Sequence, residues 1–514
     1  MVEAPAAPAP AVSAKKPGVG TAIGWSYVLT GGRIGSTVIV TFVLAKLLGP
    51  AEFGVVAMAT VFITVAQTIL QQGLVSAIVQ RDKLTPEHLD AAFGVMVISG
   101  LVVGGVTAAL SPVWALVNGE PQLTVVCLAL SPLVLMQALV IVPEAVLRRD
   151  LQFKSVALRT LIASIASGVV GVVAALLGAG VWALVVQSLV NAFVGLVVLW
   201  TVCPWRPSRR IRLGAIRDLW KFSAHSANAG LGSLLSSKAD IIFTGLFFGP
   251  LAVGIYRLAS RLPDMLVDVT VRSLQQVALP SLSRLQHERE AFVRQLTTLQ
   301  HLGAVTGLPL LGVLVAAAGP LVDFLGPAWA GTEVPLALLC VYGALNAYGV
   351  LLGPALQAIG QPGKLAAILW TRGIMGVAVF AAVGALMRGS GPATQASAIA
   401  LAAIGMQVVM NATSIWVTVH GAAGGSIPRF LAPTFPSVVA GVAAGLVPWL
   451  FDRFGFEVSP PLVALVLYGA LASLAAGAIL WVSDKRLRVL VRKKLGKRLS
   501  WIPLSHPHQS RHAA

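Results

Sequence analysis

The sequence predicts an all-α polytopic membrane protein of about fourteen transmembrane helices, on three observations. The chain of 514 residues is 57% hydrophobic and only 11% charged, with a mean hydropathy of +0.85, far from the composition of a soluble domain. Apolar runs long enough to cross a bilayer recur from residue 20 to 483 with short polar breaks. A transmembrane barrel would instead show alternating segments of about ten residues. The basic residues sort by loop: counted from a cytoplasmic N-terminus, the inside segments hold 28 of the 37 Lys and Arg, and the outside loops only Lys46, Arg388 and Arg453. Such a cytoplasmic bias is characteristic of short loops beside spans. It accounts for the net charge of +18 without a nucleic-acid partner.

In chain order, residues 1–19 are rich in Ala and Pro and form a disordered cytoplasmic tail. Lys15 and Lys16 precede an apolar run from 21 to 44 that is longer than a signal-peptide core and contains Arg33, so it reads as a retained first span. Later spans fall near 53–79, 90–117, 122–147, 156–177, 180–202, 221–247, 251–279, 298–319, 333–358, 365–387, 394–419, 431–451 and 460–483. They group into an N-terminal six-helix lobe (20–202), a basic cytoplasmic linker (203–220), a C-terminal six-helix lobe (221–420) and two extra helices (421–484). A basic cytoplasmic tail (485–514) follows and is drawn to anionic lipid. Cys127, Cys203 and Cys340 sit in or beside apolar helices without metal-ligand spacing and read as packing residues.

One span is unlike the others. Between 249 and 286 an apolar helix carries Arg257, Arg261, Asp264, Asp268 and Arg272, at steps of four, three, four and four residues. At 3.6 residues per turn these fall on one stripe. A single ionised side chain at the bilayer centre costs about 2.5–3.5 kcal/mol on insertion scales, so the stripe must face protein or a wet cavity. A helix lying on the surface is the alternative. If 251–279 fails to cross, every downstream loop inverts and the basic residues divide 16 inside to 15 outside. The charge bias therefore requires the charged helix to span.

An internal repeat relates the two halves. Residues 48–59 (LGPAEFGVVAMA) align with 248–259 (FGPLAVGIYRLA), so that Gly49, Pro50, Gly54 and Ala59 recur as Gly249, Pro250, Gly254 and Ala259. Six spans per half, an even number, give both halves the same orientation, related by a pseudo-two-fold axis along the membrane normal. Such an array places its substrate path between the lobes.

These residues resemble the polysaccharide/lipopolysaccharide flippase (exporter) family of the multidrug/oligosaccharidyl-lipid/polysaccharide exporter superfamily. The likeness is carried by LAKLLGPAEFG (44–54), by Asp240 with Gly245, Gly249, Gly254 and Tyr256, and by LPSLSRLQ (279–286). VPEAVLRRDLQF (142–153) and GAGVWAL (178–184) extend it, and together it covers roughly residues 20–420. The resemblance implies two six-helix lobes around a cationic cavity that opens alternately inward and outward. It implies as cargo a glycan on a polyprenyl diphosphate, moved from the inner to the outer leaflet. Arg33 stands in the first span where the drug-exporting branch would place an acid.

The intramembrane charges agree with that cargo. Arg33, Lys238, Arg257, Arg261, Arg272 and Arg372 outnumber Asp240, Asp264 and Asp268, and a diphosphate needs cations to offset its desolvation. These six are the candidate substrate-binding residues, with the three acids as structural or coupling groups. Local pairing of Arg261 with Asp264 and of Asp268 with Arg272 is the structural alternative. Lys238 and Asp240, two residues apart, are expected to point away from each other. Asp264, Asp268 or His225 are candidates to carry a coupling proton. GQPGK (360–364) lacks P-loop spacing, and no cofactor is expected. An ion-coupled drug or small-molecule antiporter would carry dominant intramembrane acid. A polysaccharide polymerase or ligase would display catalytic groups in a large outside loop. Neither pattern is present, so the chain reads as a non-enzymatic exporter of the bacterial inner membrane with both termini cytoplasmic. Its expected partners are the lipid-linked glycan and membrane lipids, together with a polysaccharide polymerase and glycosyltransferases.

Overall fold

The computed structural model describes residues 32, 35–71, 86–149, 152–208, 213–454 and 458–489, and among them every regular element is helical. The apolar helical segments are α1 (Gly35–Leu47), α2 (Pro50–Gln71), α3 (Pro86–Asn118), α4 (Gln122–Arg149), α5 (Phe153–Leu176) and α6 (Val181–Val202). They continue as α7 (213–248), α8 (250–283), α9 (Arg289–Ala316), α10 (Glu333–Ala358), α11 (Pro362–Leu386), α12 (Pro392–Ala422), α13 (Ile427–Gly445) and α14 (Pro461–Ser483). Twelve helices among the described residues are long and apolar enough to cross a membrane, so fourteen is an approximate count. One of the twelve runs 48 residues, from Ser236 to Ser283, and contains the α7–α8 junction. The chain turns there at Gly249, whose φ of 77° lies in the left-handed region that favours glycine. The helix α1 is too short to be counted with them. Helix resumes at Leu213, earlier than the expected span start at 221.

Two compact units group the chain. The first comprises residues 1–43, 70–106 and 130–225. Its helices meet through small residues: an added Cβ on Gly168 would lie 2.4 Å from Val40 Cγ2, and one on Gly100 would lie 2.6 Å from Ala138 Cβ. Polar groups are satisfied between helices, as where the Asn191 amide donates to Ser167 Oγ at 3.1 Å. Glu144 holds both Arg148 (2.6 Å) and Arg159 (3.1 Å). The buried carboxylate of Asp90 accepts from the backbone N–H of Ser208 at 3.1 Å and also from its hydroxyl. The basic linker is thereby tied to α3.

The second unit comprises residues 44–69, 107–129 and 226–514. Its centre is α9, crossed so closely by α13 that a Cβ on Gly312 would lie 2.0 Å from the Gly441 carbonyl oxygen. Without a hydrophobic force between helices in lipid, such small-residue contacts supply the packing. Ala440 and Ala444 of α13 and Ala472 and Ala476 of α14 extend the same core. His301 of α9 contacts Asp484 just past α14 at 3.1 Å and the carbonyl of Pro433 at 2.8 Å.

The repeated Gly-Pro segments meet in this unit. A Cβ on Gly54 would lie 1.7 Å from the Pro250 carbonyl oxygen, and a Cβ on Gly254 would lie 1.8 Å from that of Pro50. The two halves of the repeat thus exchange equivalent contacts, as a local two-fold requires. Beside them the buried Trp329 donates its indole N–H to the Ala45 carbonyl at 2.7 Å and sets its ring edge-on to Phe53. Cys127, Cys203 and Cys340 are buried free thiols.

Candidate functional site

The charged stripe converges on one cavity of the second unit, with a volume of about 460 Å³. Arg257, Arg261, Asp264, Asp268 and Arg272 of α8 line it, together with Lys238 and Asp240 of α7 and Arg372 of α11. Arg33 and the side chain of His225 lie outside the described residues. Residues Asp268–Arg272 form a π-helical turn rather than an α-turn. A π turn advances each residue by less than the roughly 100° of an α-helix, which swings Arg272 back into line with Arg257. Lys238 and Asp240 face the same cavity despite their spacing of two. A lysine's long stem lets its ammonium reach round the helix toward water.

The pairing differs from that expected from sequence. Arg272 Nε and Asp268 Oδ1 are 3.0 Å apart, the expected i, i+4 pair. Among the described residues Asp264 has no ion pair, and its carboxylate is exposed to the cavity. Asp240 accepts from the Tyr256 hydroxyl at 2.8 Å through Oδ2 and from the backbone N–H of Ile241 at 2.8 Å through Oδ1. Arg372 Nη2 donates to the Tyr342 hydroxyl at 2.8 Å. The carbonyl of Arg257 accepts from Ser260 at 3.1 Å. Its guanidinium makes no hydrogen bond or ion pair among the described residues. Among the described residues, five cations against three acids leave the lining net positive, with Arg257 as a donor fork available to an anion.

Six polar residues among the described lining escaped the sequence reading as site residues: Ser236, Ser237, Tyr256, Ser260, Tyr342 and Asn346. Tyr342 and Asn346 share a face of α10 at i, i+4, which is a legible signal in a mostly apolar helix. Nothing in the periodicity of α8 marks Tyr256, since it adjoins Arg257 and lies about 100° round the helix.

A profile of the family described as polysaccharide biosynthesis protein matches residues 43–333, more than half of the chain. This chain belongs to that family. Among its relatives, the succinoglycan biosynthesis transport protein ExoT of Rhizobium meliloti (strain 1021) is 25% identical over 481 residues, covering 93% of this chain and 95% of its own. The lipopolysaccharide biosynthesis protein WzxC of Escherichia coli (strain K12) is 23% identical over 349 residues, covering 65% of this chain and 68% of its own. In fold the chain is similar to the lipid II flippase MurJ in an inward closed conformation, with a TM-score of 0.71 and 13% identity, covering 91% of this chain and all of that one. An inward-facing multidrug resistance MATE family transporter of the MOP superfamily gives a TM-score of 0.57 at 16% identity, covering 74% of this chain and 93% of that one. The family and the fold are those of flippases and transporters, not of enzymes. This polysaccharide biosynthesis protein is accordingly a multi-pass membrane transport protein, the class that its residues resemble.

Proposed function

We propose that the protein moves an oligosaccharide repeat unit of an exopolysaccharide or lipopolysaccharide, linked to a polyprenyl diphosphate, from the inner to the outer leaflet by alternating access. The observation that carries the reading is the net-positive cavity inside spanning helices, lined by Lys238, Arg257, Arg261, Arg272 and Arg372. Charge at that depth is costly unless water or a ligand answers it. A diphosphate supplies several acceptor oxygens, and arginine forks hold them bidentately. The acids keep the lining from binding the anion too tightly to release it: Asp268 is spent on Arg272, Asp240 on Tyr256, and Asp264 faces the cavity. Arg33 of the first span is assigned to the same path. The lobes at 20–202 and 221–420 would rock about the site, with the extra helices at 421–484 packed against α9.

Deletion tests the reading directly. Lipid-linked repeat units should accumulate on the cytoplasmic leaflet while their synthesis continues. Units that reach the outer leaflet but remain unpolymerised would assign the defect to polymerisation instead. Orientation is tested separately by reporter fusions after Gln286 and after Ser483, both expected to report cytoplasm. An outside signal at either position would overturn the proposed topology.

A further inference from the structure

We propose that a second cavity, beside the cationic one, binds the proximal sugar of the cargo as an uncharged ring, a subsite that rests on the diphosphate reading above. The cavity has a volume of about 490 Å³, within the roughly 300–1,000 Å³ of small-molecule sites. Arg272, Asn346, Leu369 and Arg372 line both cavities. A ring bonded to a diphosphate in the first therefore has only to pass these shared residues to enter the second.

Beyond that join the chemistry changes. Gln275, Gln357, Gln407 and Asn411 contribute amides, the other described lining residues are small or apolar apart from Ser414, and the two shared arginines are the only charges among the described lining residues. Amides both donate and accept, as hydroxyls do, whereas a second anion would call for further cations.

The amides of α12 are also oriented. Gln407 and Asn411 are 1% and 7% exposed, in a helix where unsatisfied polar groups are costly. The Leu345 carbonyl can only accept, so Asn411 presents Nδ2 to it, at 2.6 Å. Asn411 Oδ1 then accepts from Gln407 Nε2 at 2.9 Å. The relay leaves Gln407 Oε1 buried and without a partner among the described residues. Gln407 belongs to the lining of the cavity, and an unmet carbonyl acceptor beside that space suits a hydroxyl donor. Gly349 keeps the space clear, since a Cβ there would stand 3.0 Å from Asn411 Oδ1 and 3.4 Å from Gln407 Nε2.

The test is a binding comparison on the purified full-length protein, followed by intrinsic tryptophan fluorescence. The two probes are polyprenyl diphosphate and the same lipid carrying one glucose. The wild-type protein should prefer the glucosylated lipid. Gln407→Leu should lose about tenfold in affinity for that lipid, the scale of a buried acceptor removed, and stay within about twofold for the bare diphosphate. Retained binding of the bare lipid shows that the variant is folded. If Gln407→Leu loses both lipids, Gln275→Leu, in a half-buried position, decides by the same selective loss. Equal affinity of the wild type for the two lipids, or variants that leave the preference intact, would overturn the sugar subsite alone. A wild type that binds neither lipid would overturn the diphosphate reading and the subsite with it.

Discussion

The two ends of α8 show how one helix can both seal against a neighbour and line a cavity. At 250–254 the helix touches its counterpart at 50–54 through bare backbone, with each glycine facing the other segment's proline carbonyl. One turn later, from Arg257 to Arg272, the same helix turns five charged side chains into a cavity. The first stretch has no room for a side chain and the second has room for a solvated ligand. Sealing requires small residues because backbones in lipid approach only where a Cβ is missing. Charge requires the opposite, an opening wide enough for water or a ligand.

Adding a single methyl group at the sealed end gives the largest expected effect. Gly54→Ala and Gly254→Ala each place a Cβ within 2 Å of a backbone oxygen. The helices must part, at a cost at or above the usual ~1–3 kcal/mol of overpacking. Glycan export should be lost in both, whereas Gly105→Ala, whose added Cβ meets nothing within 4 Å, should export normally. Equal tolerance at all three positions would dissolve the distinction between the two ends.

At the lined end, Arg257→Ala should lower export about tenfold or more, the scale of one lost charge-assisted hydrogen bond to ligand, with abundance in the membrane near normal. Arg257→Lys should retain part of the activity, since an ammonium lacks the planar fork. The structure sharpens this test, because Asp240 is already held by Tyr256 and so should not be stranded by loss of Arg257. If Asp240→Asn restores export to Arg257→Ala, Arg257 is a strut and not a ligand.

The smallest effect is expected at the boundary between the two ends. Tyr256→Phe removes the donor to Asp240 Oδ2 but leaves the Ile241 N–H on Oδ1. A single hydrogen bond with a net worth of about 0.5–1.5 kcal/mol is lost. Thermal stability of the purified protein should fall by only about one degree, with export reduced about twofold to fivefold. A loss as deep as that of Arg257→Ala would place Tyr256 in direct contact with the cargo.

Much of the architecture was legible in one dimension. Helix existence, the approximate span count and the shared face of Arg257 to Arg272 follow from hydropathy, loop charge and helical period, all properties of a chain read a few turns at a time. The repeat at 48–59 and 248–259 was visible as four matching residues, but not that Gly54 meets Pro250 and Gly254 meets Pro50. That exchange depends on which helices cross, and local periodicity carries no record of crossing partners. The same limit explains the site. Local spacing anticipated the Asp268–Arg272 pair, whereas Tyr256 as the partner of Asp240 and Tyr342 as that of Arg372 joined groups 16 and 30 residues apart. The π turn at 268–272 and the Gln407–Asn411 relay ending at Leu345 likewise needed the packed bundle. Solvation and period, which the sequence by itself determines, decide that a residue lies in a spanning helix and on which of its faces. The tertiary structure alone decided what that face meets, because a hydrogen-bond partner is selected by the few ångströms that separate neighbouring helices.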